Sequence, residues 1–132
     1  MITPPPSALV FRLTENRVEI PGEIQGTAPN VGDFTGLRGA DALAVLARIP
    51  AGWIPEPSDA GGGVVFRNPT NPAYDWVRLM PGNLNSRWEN TRGPYLRVFR
   101  NGTYVDENGQ PVSSHDQSGH IPLRDNPALG PS

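Results

Sequence analysis

Cysteine is missing from all 132 residues, so the chain has no disulfide framework, no thiolate chemistry and no cysteine-ligated zinc. Lysine is missing as well, and all eleven basic residues are arginine. No apolar run approaches the ~18 residues that a membrane span requires. The N-terminus lacks a basic region followed by an apolar block, so no signal peptide is expected. No glycine-rich phosphate loop precedes a helix, because Gly61-Gly62-Gly63 leads into a strand. No Gly-x-Ser-x-Gly nucleophile elbow occurs. The carboxylates show no metal-ligand spacing, and Asp106-Glu107 lies in a turn, where acids are common without function. These absences weigh against metal-dependent nuclease and nucleotide hydrolase chemistry, and no cofactor or metal site is expected.

Sixteen prolines and fifteen glycines are far above ordinary usage and imply short elements, many turns and long irregular connections. The length suits one domain with a real core. A net charge of −2 hides an uneven distribution. Residues 1–60 carry four arginines against seven acids, while residues 67–100 carry six arginines against Asp75 and Glu89. That local surplus, which includes Arg87 and Arg100, suits a phosphate-bearing ligand. Arginine favours bidentate phosphate binding and stacking on bases, although genome base composition can produce the same bias.

Tyr74 to Arg100 is the organising stretch. Side chains alternate between the two faces of a strand. In the first run, Val77 and Leu79 share one face, and Trp76, Arg78 and Met80 the other. In the second, Leu96 and Val98 lie opposite Tyr95, Arg97 and Phe99. Pairing the runs gives an aliphatic side for the core and an open cationic side lined with aromatic rings. Arg78 and Arg97 can equally be ordinary solvent-facing strand residues.

Met1 to Ser7 reads as an extended lead-in. Short strands are expected at Ala8–Leu13 and Arg17–Ile20, with a loop from Glu23 to Gly36. Leu37 to Arg48 is the one convincing helix, with Ala40, Leu43, Ala44 and Ala47 on one stripe and Leu46 and Ile49 beside them. Asp41 and Arg48 suit its two ends. Trp53 reads as a buried anchor. Further strands are expected at Val64–Arg67, Asp75–Met80, Tyr95–Arg100, Thr103–Val105 and His120–Leu123. Asn101-Gly102 is a hairpin signal, and Arg124 to Ser132 reads as a weakly ordered tail. The expected fold is α+β, one main helix packed on a small antiparallel sheet of four or five short strands.

Only two histidines are present. With Ile121 and Leu123 in the core, His120 faces outward beside Arg78, Arg97 and Tyr95. Those groups suffice for metal-independent RNA cleavage. An imidazole moves protons to and from the 2′-hydroxyl or the leaving oxygen. Guanidiniums hold the phosphate and offset charge in the transition state. A tyrosine hydroxyl can donate to phosphate or transfer the second proton. Trp76, Phe99 and Tyr95 offer stacking surfaces for bases, and His115, in a polar loop, is a further candidate at the substrate. His120 can instead be a structural histidine bridging strands.

The order of four motifs is distinctive: Arg78-Leu79-Met80-Pro81-Gly82-Asn83, then Arg92-Gly93-Pro94-Tyr95-Leu96-Arg97-Val98, then Arg100-Asn101-Gly102, then His120-Ile121-Pro122-Leu123. Together with the helix end Ala47–Pro50 and the glycine-rich lead into Val64–Arg67, it resembles C-terminal toxin domains of bacterial polymorphic toxin systems. These are the tips of Rhs-type and contact-dependent inhibition proteins, with a fold similar to the barnase–EndoU–colicin–RelE ribonucleases. The resemblance covers residues 37–128 as the catalytic domain, with 1–36 a lead-in without counterpart and 129–132 a tail. It implies a secreted ribonuclease toxin, often acting on tRNA, delivered into the cytoplasm of a target bacterium and blocked by an immunity protein. It also implies catalytic roles for Arg78, Arg92, Tyr95, Arg97 and His120. The central lysine of several such ribonucleases is absent here, so an arginine would supply its charge and cannot be the base. Other reactions within the toxin class, ADP-ribosyl transfer or NAD glycohydrolysis, remain open. So does a non-catalytic module that binds RNA or protein.

Overall fold

The computed structural model describes residues 24–58 and 62–130, and the backbone of 12–14 and 17–19. Among these residues eight strands and one α-helix follow in chain order: β1 (Arg12–Thr14), β2 (Arg17–Glu19), α1 (Ala42–Arg48), β3 (Ile54–Pro57), β4 (Val64–Arg67), β5 (Trp76–Met80), β6 (Tyr95–Arg100), β7 (Thr103–Val105) and β8 (Ile121–Pro122). β1 and β2 form a separate antiparallel pair. The lead-in Met1–Ser7 and the Ala8–Phe11 part of the first expected strand lie outside the described residues.

The main sheet is an antiparallel meander, β3-β4-β5-β6-β7, with β8 added along the far edge of β6 beside β7. The class is α+β as expected, but the sheet has six strands rather than four or five. The extra one is β3, Ile-Pro-Glu-Pro. Two prolines in four residues argue against an inner strand, because proline has no N–H for the ladder. β3 pairs only with β4, and an edge position tolerates the loss.

α1 is shorter than expected, and its inward face is shifted toward the Leu46 and Ile49 side of the expected stripe. Asp41, in extended conformation, caps it by accepting from the Ala44 N–H at 3.0 Å, so helical geometry begins at residue 42 rather than 37. The buried positions are Ala42, Val45, Leu46 and Ile49, spaced i, i+3, i+4, i+7. Ala44, expected on the inner stripe, is exposed. The larger side chains decide the phase, because burying valine, leucine and isoleucine removes more apolar surface from water than burying alanines.

That face packs with Val64 and Phe66 of β4, Val77 and Leu79 of β5, and Leu96 and Val98 of β6 in one core, closed by Trp53, Ile121 and Leu123. The aliphatic side expected for the central strands is therefore the core side. Phe34 belongs to the same cluster, and Gln25 donates to the Pro50 carbonyl at 3.0 Å, so residues 24–36 pack with the rest. Residues 124–130 are also more firmly placed than a weakly ordered tail. Asn126 is 3% exposed, and its amide donates to the Asn90 and Pro94 carbonyls, each at 2.9 Å.

Candidate functional site

Strand register builds the second face of the sheet. β5 and β6 pair so that Arg78 lies opposite Arg97, Trp76 opposite Phe99 and Met80 opposite Tyr95. β7 brings Tyr104 opposite Phe99, and β8 sets Pro122 opposite Tyr95, which delivers His120 to the strand end. Two like charges facing each other across a ladder repel. Something must make the pairing tolerable.

Arg97 and His120 meet directly. The Arg97 Nη1 lies 3.0 Å from the His120 Nδ1 and closer still to Nε2. A guanidinium only donates, so the imidazole accepts and is neutral. Burial first, then the charges of Arg97 and Arg78, push the His120 pKa down to about 4. Arg97 is itself pulled below the usual guanidinium range, by burial first and then by Arg78, yet remains a cation. Tyr95, whose ring centre is 5.5 Å from that of His120, has its pKa raised by burial against the opposing pull of Arg78 and Arg97, so it keeps its proton.

The expected open surface is roofed at this point. Arg97 is 4% and His120 7% exposed, so neither faces solvent freely. Loops do the covering. Arg97 Nη2 donates to the Ser114 carbonyl at 2.8 Å, its guanidinium lies over the Tyr104 ring at 3.8 Å, and Trp88 sits edge-on to His120 at 5.1 Å. Asn90 clamps the segment from behind, donating to the Gln117 and His120 carbonyls, both at 3.0 Å. Sequence alternation assigns a strand's faces but not what crosses over them.

Arg78 is half-buried, with its guanidinium 5.2 Å from the Trp76 ring centre and its Nε buried without a hydrogen-bond partner. Among the described residues the ion pairs are Arg67–Glu56, Arg100–Asp75 and Arg124–Asp41, so neither Arg78 nor Arg97 has a carboxylate. Two partly desolvated cations, one with an orphaned donor, fit an anion between or beside them.

The remaining candidates divide. Trp76 and Phe99 pack at 4.9 Å on this face, and Tyr104 completes the aromatic cluster at 5.9 Å from Trp76 and 4.7 Å from Phe99. Arg87 is exposed and lies 5.4 Å from the Trp88 ring centre. Arg92 is spent on its own loop, donating to the Ser86 and Arg87 carbonyls at 2.8 and 3.2 Å. Arg100 is on the helix side of the sheet, paired to Asp75 at 2.7 Å and bonded to the Gly32 carbonyl at 2.9 Å. His115 is exposed in the loop that roofs Arg97.

Tyr104 and Trp88 are neighbours of the site that strand alternation alone does not single out. For Tyr104 a signal is present: Asn101 and Gly102 take φ of 53° and 81°, a two-residue hairpin that fixes Tyr104 opposite Phe99. Trp88 sits in a polar loop with no periodicity to place it.

Beside His120 a cavity of about 270 Å³ opens between Met80, Asn83, Ser86, Trp88 and Tyr95. Another, about 320 Å³, lies near Phe34, Val98 and Arg100. Among the described residues no group of three histidines or acids is placed to hold a metal, and no helix is long and apolar enough to cross a membrane. No family model, curated protein or solved structure matches the chain.

Proposed function

We propose that the chain is a metal-independent ribonuclease toxin that cleaves tRNA or another cellular RNA. One observation carries this: Arg78 and Arg97, neither paired to a carboxylate among the described residues, lie directly opposite on β5 and β6 beside the His120 imidazole and the Tyr95 ring. The scissile phosphate binds the half-buried Arg78 and reaches Arg97 by displacing the Ser114 carbonyl from it, supplying the negative charge that the facing arginines lack. Arg97 then turns N–H groups from the imidazole to the phosphate, which frees the ring's lone pair. The anion also offsets the two positive charges that depress the histidine, raising its basicity toward neutrality.

His120 takes the 2′-hydroxyl proton as the 2′-oxygen attacks phosphorus. The bond from phosphorus to the 5′-oxygen breaks, and the Tyr95 hydroxyl gives that oxygen its proton. The products are a 2′,3′-cyclic phosphate and a free 5′-hydroxyl, with the proton on His120 returning to Tyr95 through solvent. The resemblance of the motif order supports delivery into the cytoplasm of a target bacterium and restraint by an immunity protein.

Expression in bacteria followed by sequencing of RNA ends tests the proposal, since it reads toxicity, substrate and cut position together. The expected outcome is new 5′-hydroxyl ends at defined sites. His120→Ala and Tyr95→Phe should each lower cleavage by about 10²-fold or more while retaining the far-ultraviolet dichroism of the parent. Full cleavage in both variants would sink it. The occupied lone pair of His120 favours one second reading, a module that binds RNA without cutting it. Salt-sensitive RNA binding with no new ends after hours would establish that instead.

A further inference from the structure

The cavity beside His120 is built by a loop that holds its own shape. Residues 81–94 leave β5 and return to β6 through a neck where Gly82 and Gly93 touch backbone to backbone, leaving no room for a side chain at Gly82. Gly82 has φ of 77°, a conformation that glycine adopts without strain. Within the loop, the Asn83 N–H donates to the Thr91 carbonyl at 2.9 Å and the Ser86 N–H to the Asn83 carbonyl at 2.9 Å. The hydroxyls of Ser86 and Thr91 bond each other, and Thr91 also donates to the Trp88 carbonyl at 3.0 Å. Arg92 ties the far side, as described above. A wall with this many internal bonds stands ready before any ligand arrives, which is typical of small-molecule sites.

Its lining is particular. Trp88 and Tyr95 supply aromatic surface, and Met80 an adaptable apolar one. Asn83 spends its Oδ1 on the Asn85 N–H at 2.8 Å, and its Nδ2 has no partner among the described residues. Asn83 is exposed and lines the aromatic-walled hollow, so its amide keeps a donor pair that the loop does not use. At about 270 Å³ the space is smaller than most drug-sized pockets and suits a single ring system. It shares His120 and Tyr95 with the phosphate site.

We infer that this cavity receives one nucleobase turned out of its stack, so that the substrate is unpaired RNA cut next to the captured nucleotide. A base inside a duplex cannot reach such a hollow without extrusion, which costs least where the strand is already single. The choice of RNA rests on the ribonuclease proposal; the pocket's preference for a base does not.

The test uses the full chain in two arms. In the first, the four nucleoside 3′-monophosphates and inorganic phosphate are titrated by calorimetry. At least one nucleotide should bind roughly tenfold tighter than phosphate, the scale of one base–aromatic contact. Trp88→Leu, which keeps apolar bulk, and Asn83→Ser, whose hydroxyl can still close the turn, should each lower nucleotide affinity by more than phosphate affinity and so erase most of that margin. In the second arm, a hairpin's unpaired loop should be cut at least about tenfold faster than the same sequence in a full duplex. Equal affinity for nucleotides and phosphate, or measurable cutting that is equal on loop and duplex, overturns the inference. A nucleotide preference that Trp88→Leu removes, with no RNA cut at all, overturns the ribonuclease proposal and leaves the base pocket standing.

Discussion

Arg97 and Arg100 stand three residues apart on one strand and face opposite sides of the sheet. Arg100 is enclosed by what a structural cation needs. Asp75 pairs with it at 2.7 Å, the Gly32 carbonyl accepts at 2.9 Å, and the rings of Phe34 and Trp53 lie 5.3 and 5.8 Å away. Arg97 is more deeply buried, yet it has an imidazole, one carbonyl and the Tyr104 ring, and no acid among the described residues. A cation whose charge is matched within the fold stabilises the fold. One left without a counter-charge among the described residues, facing a second arginine, fits the proposed role of holding an anion.

Substituting each in turn gives the largest contrast. Arg97→Ala should reduce RNA cleavage by about 10² to 10³-fold, the usual loss when a charge-stabilising donor is removed. The fold should persist, because no buried carboxylate is stranded and water can serve the Ser114 carbonyl. Arg100→Ala should do the reverse. Asp75 is left with little exposure and no cation, so stability should drop by about 2 kcal/mol while cleavage survives at low temperature. Denaturant titration and a cleavage assay on both variants check this. If Arg100→Ala abolishes cleavage without destabilising, and Arg97→Ala does neither, the assignment of the two faces is wrong.

How far this contrast could be read from the sequence depends on which residues are considered. Alternation placed Val77, Leu79, Leu96 and Val98 in the core and set Arg78, Arg97 and Tyr95 together on the other side, because strand period and hairpin register are local properties. Arg100 fell inside the same arginine surplus, and composition alone does not separate it from Arg97; parity along β6 does. Proline in β3 hid an edge strand. The helix was legible as an element, and Leu46 and Ile49 beside its expected stripe are buried, but the centre of the inward face was not, since alanine and leucine both match the period and only packing weighs their sizes. The roof over His120 comes from loops 81–94 and 113–119, whose course depends on contacts far apart in sequence. An outward position on a strand therefore did not mean an exposed one.

A second, smaller effect sharpens the contrast through pH. The folded-state pKa of His120 is near 4, below the ordinary histidine value of 6.5. The unfolded chain thus binds the proton more readily between those values, and stability should decline as pH falls from about 6.5 to about 4. Above that window the neutral form prevails in both states and the contribution is flat. A loss on the order of 3 kcal/mol across the window is expected, and His120→Gln should flatten that part of the profile. Phosphate should change it too: an anion beside Arg97 raises the folded-state pKa toward the unfolded value, so added phosphate should make the decline smaller. Identical profiles with and without phosphate would mean that no anion reaches this cluster.

The smallest effect concerns Arg92, which the motif resemblance places among the catalytic groups. Its two hydrogen bonds run to carbonyls of its own loop, and it is exposed. Under the proposed function Arg92 would act through the wall that carries Trp88, as a positioning residue. Arg92→Ala should cost less than about 1 kcal/mol in stability and only a few-fold in cleavage. Most of that should appear as a higher KM, because a looser wall weakens capture of the base without touching the phosphate or the protons. Arg92→Gln, whose amide can still donate to one carbonyl, should recover part of the loss, whereas Arg97→Gln should recover none. A drop in turnover by roughly two orders of magnitude with KM unchanged would instead return Arg92 to the group that touches the reacting phosphate, and would require the loop to open before the chemistry begins.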